Sequence, residues 1–189
     1  MSGHNKWSKI HRKKGEADAA KGNVYAKLGK EIFVAVKQGK SADPEQNSKL
    51  RELISKARNV NMPNANIQRA VQKAVGDSAS NDYEYITYEG YGPVGVAVLI
   101  DCLTNNKNRT AANIRSYFEK SGGSLGVSGS VSFLFDEDFD DDGETIIKVP
   151  NYFVSIPEEK EKAFEKLLEN LEEDEDVVNF YHNGSDNEQ

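Results

Sequence analysis

The chain is poor in the residues from which sites of covalent or metal chemistry are built. It has one cysteine, Cys102, and that residue sits inside an apolar run. A single cysteine excludes a disulfide framework within the chain and a cysteine-based zinc site. Histidine is scarce too, with only His4, His11 and His182. His4 and His11 are spaced to share a helix face, but no cysteine or acid beside them completes a metal site. Long apolar runs are missing. The longest, residues 94–100, is closed by Asp101, whereas a membrane span needs about 20 apolar residues. The opening MSGHNKWSKIHRKK has no apolar stretch of the secretory type. These absences leave a protein without cofactor or metal, expected in the cytoplasm and not at a membrane. No catalytic constellation is visible, so an enzyme is the least expected class.

What is present is charge, unevenly placed. The 189 residues carry 24 Lys and Arg against 31 Asp and Glu, a formal net charge of −7. Through Val75, sixteen basic residues stand against six acids, a net of +10; the remainder holds eight against twenty-five, a net of −17. Such segregation marks a basic module that meets a polyanion. The acidic part keeps the protein soluble or limits where the basic part binds.

The first 75 residues read as helices. Val24, Leu28, Ile32, Ala35 and Val36 recur at helical spacing, with Gly39 as a stop. Asp43-Pro44 is the expected start of a second helix, whose inward stripe is Leu50, Leu53, Ile54, Ala57 and Val60. A third follows Met62-Pro63, with Ile67, Ala70, Val71 and Ala74 inward. Residues 76–82, GDSASND, form a polar linker. Beyond it the pattern turns aromatic and β-branched, as strands prefer. Strands are expected at DYEYITYEGYG, at 96–103, at 130–135, at 144–149 and at 177–181. Helices are expected at 108–120, capped near Thr110, and at 157–171. The acidic stretch 136–143 reads as a solvated loop, without the ligand spacing of a calcium loop. The expected fold class is α+β: an N-terminal basic helical bundle (1–79), an α+β domain with a mostly antiparallel sheet (80–183), and a tail (184–189).

The candidate site is the opening segment, with Lys6, Lys9, Arg12, Lys13 and Lys14, continued by Lys21, Lys27 and Lys30. Cations there neutralise phosphates and release counterions, which gives affinity without sequence preference. Trp7 and His11 are interleaved with them. Either ring can stack on an unpaired base, although for Trp7 anchoring onto the bundle is the role expected first. A secondary candidate is the strand-to-helix junction with Lys107 and Arg109, where a helix N-terminus meets two cations. Capping by Asn108 or Thr110 is the alternative there. The glycine-rich residues 121–130 lack the GK[ST] ending of a phosphate-binding loop. They read as a helix stop and strand entry.

Several of these segments resemble the YebC/PmpR family in order along the chain: MSGHNKWSKIHRKK, NMPNANIQRA, YEGYGP, NRT, GGSLGVSGSVSFLF and the closing VVNFYHN. The resemblance implies a helical N-terminal domain followed by α+β domains, the third inserted into the second. It implies a role in gene expression, as a DNA-binding transcriptional regulator or as a translation factor of the cytochrome oxidase activator type, working at the ribosome. It also implies a short member, in which the acidic residues 136–143 stand where the third domain is expected. The partner expected first is ribosomal RNA or mRNA. DNA comes second, and third is a basic protein held by the acidic C-terminal face.

Overall fold

The computed structural model describes residues 17–77, 82–140, 143 and 146–186, with side chains from Lys21 onward. They divide into a helical unit within Gly15–Glu84 and an α+β unit within Tyr85–Gln189.

The helical unit is built from α1 (Ala17–Gly39), α2 (Ser48–Asn59) and α3 (Asn64–Gly76). Leu28, Ile32, Ala35 and Val36 of α1 share one core with Leu50, Leu53 and Ala57 of α2 and Ile67 and Ala74 of α3. α2 does not begin at Asp43-Pro44. Asp43 instead closes a turn, its Oδ1 accepting from the Glu45 N–H at 3.0 Å. The cap is Asn47, which is buried and whose Oδ1 accepts from the Leu50 N–H at 3.0 Å. Its Nδ2 donates to Ala35 O (2.9 Å) and Ser41 O (3.0 Å), tying the start of α2 to α1. A Cβ on Gly39 would overlap the Asn47 amide, so the helix stop and the cap are one packing unit. After α2 ends at Asn59, the chain turns through Asn61, at φ 61°, to buried Met62.

The α+β unit comprises β1 (Glu84–Tyr91), β2 (Ala97–Thr104), α4 (Lys107–Lys120), β3 (Ser124–Leu125), β4 (Phe135–Phe139), β5 (Ile146–Pro150), β6 (Val154–Ser155), α5 (Glu158–Glu173), β7 (Val177–His182) and β8 (Gly184–Ser185). Its main sheet has the order β3-β1-β2-β7, with β1–β3 and β2–β7 antiparallel. β2 is buried on both faces. Val98, Ile100 and Cys102 point into a core completed by Ile114 and Phe118 of α4 and Phe164, Leu167, Leu168 and Leu171 of α5. Ala97 and Leu99 point the other way, onto Val131 and Phe135.

Two expectations change here. Residues 130–135 are not a strand, because Ser132–Leu134 forms a single 3-10 turn and the strand starts at Phe135. The acidic stretch is not simply a loop either, since Asp136, Glu137, Asp138 and Phe139 belong to β4 and pair antiparallel with β5. β4 is exposed on both faces after Phe135. Charged side chains are tolerated on a two-stranded hairpin that faces water, and Glu137 meets Lys148 across the pair.

Candidate nucleic-acid interface

Lys6, Trp7, Lys9, His11, Arg12, Lys13 and Lys14 lie outside the described residues. Lys21, Lys27 and Lys30 lie on α1. At about 100° per residue, Lys27 and Lys30 fall near one another and Lys21 about 120° or more away. Lys21 is exposed, while Lys27 and Lys30 are half-buried. The Lys30 ammonium sits 5.6 Å from the centre of the Tyr83 ring, a cation–π arrangement that leaves it less available to a phosphate. Among the described residues 17–77, eleven Lys and Arg stand against six acids, so the positive excess is a property of the folded helical unit. Lys49 pairs with Glu52 at 2.9 Å and Arg51 approaches Glu45 at 3.8 Å. Arg58, Arg69 and Lys73 add exposed cations on α2 and α3.

One acid of this unit is buried. Glu31 is only 6% exposed. Burial pushes its carboxyl above the ordinary value, although Lys56, Lys49 and Lys30 pull it down. A raised folded-state pKa means stability that is fully present below the ordinary 4.5 and lost as pH rises through the folded value. Glu31→Gln is therefore expected to raise stability at neutral pH and to leave it unchanged at pH ~4. Urea midpoints at the two pH values check this; a loss at neutral pH would show that the ionised carboxylate is needed.

Lys107 and Arg109 are brought together on the first turn of α4. That helix starts one residue earlier than expected, and its cap is neither Asn108 nor Thr110. Asn106 Oδ1 accepts from the Arg109 N–H at 3.1 Å. The Arg109 guanidinium does not simply face solvent. Its Nη2 donates to Asp176 Oδ2 at 2.8 Å, with the side chain 49% exposed. The same oxygen takes the Thr110 hydroxyl at 2.9 Å and the Thr104 hydroxyl at 3.3 Å. Next to it, Asp174 Oδ2 accepts from the Tyr117 hydroxyl (2.8 Å) and Asn113 Nδ2 (3.3 Å). Burial first, then Asp174, push the Tyr117 phenol far above its usual range, so it stays a donor. The junction is a buried polar lock that fixes Arg109 at the surface.

The YEGYGP and GGSLGVSGSVSFLF segments meet in a second lock. Glu89 is 5% exposed and accepts from the N–H groups of Gly129 (2.7 Å), Val131 (2.8 Å) and Ser132 (2.8 Å). Burial alone would raise its carboxyl, but these donors outweigh it and hold the group below the ordinary value. A Cβ on Gly90 would lie 2.7 Å from Phe118 Cζ, and one on Gly123 would overlap Tyr91 O. Close packing, and not a phosphate cradle, accounts for these glycines. His182 packs edge-on against Phe164 at 5.1 Å. Among the described residues, no group of three or more His, Cys, Asp or Glu side chains gathers at metal-holding distance. No helix among them is long and apolar enough to cross a membrane.

Exposed polar side chains of α2 and α3 border one groove that sequence spacing alone does not mark: Arg58, Asn64, Gln68 and Gln72. The available signal was NMPNANIQRA, which contains Asn64 and Gln68 and ends the turn into α3.

Comparison with known proteins agrees with this architecture. Residues 5–77 match the model of the TACO1/YebC protein N-terminal domain, and residues 83–139 match that of the TACO1/YebC second and third domain. A protein of Finegoldia magna named "Probable transcriptional regulatory protein" is 43% identical over 238 aligned positions, covering 97% of this chain and 98% of the relative. The Bacillus subtilis protein named "Probable transcriptional regulatory protein YrbC" is 57% identical over 136 residues, 72% of this chain and 56% of its own. The crystal structure of a conserved hypothetical protein from Aquifex aeolicus superposes with a TM-score of 0.81 at 32% identity, covering 97% of this chain and 98% of that one. With both family models matched in sequence order and the fold reproduced, the chain belongs to the TACO1/YebC family.

Proposed function

We propose that this chain is a non-enzymatic nucleic-acid-binding factor in gene expression, acting in translation on ribosomal RNA or mRNA. The observation that carries the reading is the +10 excess of the first 75 residues within a protein of net charge −7. Coulombic attraction to a phosphate backbone is its simplest physical consequence. Lys6, Lys9, Arg12, Lys13, Lys14, Lys21, Lys27 and Lys30 supply the phosphate contacts, Trp7 and His11 the stacking surfaces, and Lys107 and Arg109 a secondary contact. Backbone and shape readout of this kind suits structured RNA. A second reading, DNA-binding transcriptional regulation, is favoured by the names that the Finegoldia and Bacillus relatives carry.

We infer that the family's third domain is inserted at the position of the β4–β5 hairpin. The second family match ends at Phe139, the last residue of β4. The Finegoldia alignment runs over more positions than this chain has residues, so that relative holds residues absent here.

Ribosome co-sedimentation, set beside duplex DNA binding at equal salt, separates the two readings. Co-sedimentation is expected; its failure together with tight, sequence-dependent duplex binding would replace translation by transcription. If about six phosphates are contacted, log K falls against log salt with a slope of roughly −4 to −5. Lys13→Glu with Lys14→Glu should weaken binding and flatten that slope by about 1 per lysine. An unchanged slope would move the site off the opening segment.

A further inference from the structure

We propose that the groove between α2 and α3 is a binding site for an unpaired nucleobase of single-stranded RNA, a proposal that rests on the RNA reading above. The groove holds about 490 Å³ and is open to solvent along its polar rim. Its floor is apolar, made by Ile54, Ile67 and Val71. Its rim is polar, made by Asn64, Gln68 and Gln72 of α3 and Arg58 in the last turn of α2.

The three amides recur every fourth residue, so they form one stripe with neighbours about 6 Å apart. Each carboxamide offers a donor and an acceptor together, the pairing that base edges present. No acid lines the groove. Arg58 at the rim, with exposed Arg69 of α3, supplies positive charge for the phosphates beside a base. The amides are not spent on holding the fold. α3 is entered through Pro63 with no side-chain cap, and Asn64, Gln68 and Gln72 are all exposed.

The shape selects the form of nucleic acid. A helix that reads a duplex places its reading face clear of its own protein, inside the major groove. Here the amide stripe shares a concavity with Ile54 and Arg58 of α2. The apolar side chains of Ile54, Ile67 and Val71 beside the amides offer contact to the face of an unstacked base, which a base paired within a duplex does not present. An apolar floor beneath amide donors and acceptors is the arrangement that accepts an unstacked base in single-strand readers.

The test compares wild type with Asn64→Ala/Gln68→Ala/Gln72→Ala, three surface changes on an Ala-tolerant helix. Binding of an oligouridylate, alone and annealed to its complement, is read by fluorescence anisotropy across a salt series. The triple variant should lose roughly tenfold or more on the single strand, with the salt slope and the duplex affinity unchanged. Val71→Trp, which fills the groove, should reproduce the selective loss. Wild-type affinity for the single strand in both variants would overturn the groove site while leaving the electrostatic reading intact, as would equal losses on single strand and duplex. A selective loss on duplex DNA would assign α3 to duplex reading and overturn the site. A wild-type protein that binds neither RNA form, or binds with a flat salt slope, would remove the RNA reading and the groove site together.

Discussion

Asp176→Ala is expected to lower the stability of the α+β unit by about 3 kcal/mol. Asp176 is 5% exposed, and its Oδ2 gathers Arg109, Thr110 and Thr104 from the end of β2 and the start of α4. Removing the carboxylate takes the charged acceptor from two buried hydroxyls, and Thr104, on a fully buried residue, is left with the Thr110 hydroxyl 2.8 Å away. Thr110 suffers less, because its hydroxyl also lies 3.1 Å from Asn106 O. The ion pair itself contributes only part of the loss, since the Arg109 side chain is half in water and screened. Arg109→Ala should therefore cost less than about 1 kcal/mol. A double-mutant cycle in urea, read from midpoints at constant m-value, separates these contributions. If Asp176→Ala costs no more than Arg109→Ala, the carboxylate is serving the surface arginine and not the buried threonines.

Glu89→Gln is expected to cost about 2 kcal/mol at neutral pH, because hydrogen bonds to a charged acceptor are worth about 1.5–3 kcal/mol. The two Glu89 oxygens serve three N–H groups. An amide at that position turns an N–H₂ toward at least one of these donors. The pH dependence follows from the sign of the shift. A carboxyl held below its ordinary 4.5 contributes stability above that value and loses it as pH falls through the folded value. The gap between wild type and Glu89→Gln should stay constant above pH ~5 and close as acid protonates the wild-type group. A gap that widens in acid would mean that the neutral form of Glu89 is the one the loop prefers.

The helical stripes were legible because burial on a helix leaves a 3.6-residue period that any reader can count. Leu50, Leu53 and Ala57 are buried as that period requires, whereas Val24 and Val60, expected at the ends of the α1 and α2 stripes, are exposed. The cap of α2 was not legible, because Asp43-Pro44 is the better local signal. Asn47 prevails through contacts with Ala35 and Gly39, which the sequence does not place beside it. The same holds at α4, where Asn106 takes the cap and Thr110 turns inward to Asp176. β4 was hidden by its own charge: Asp136, Glu137 and Asp138 look like a loop until β5 supplies the opposite strand. Of the candidate site, the basic excess is a count and needs no structure. The groove is different. Asn64, Gln68 and Gln72 are ordinary surface residues on a helix considered alone, and become a site only with Ile54 and Arg58 opposite.

The pairing of β2 with β7 also sets an order of events during synthesis. Val98 faces His182 and Ile100 faces Phe180, so the central strand of the α+β unit receives one neighbour from the last stretch of the chain. The helical unit closes its core between Leu28 and Ala74 from short-range contacts, which form quickly. Chains emerge from the N-terminus and fold unit by unit. The basic unit is therefore complete while the acidic remainder is still being made, and for that interval the growing chain presents its cations without the negative charge that later offsets them.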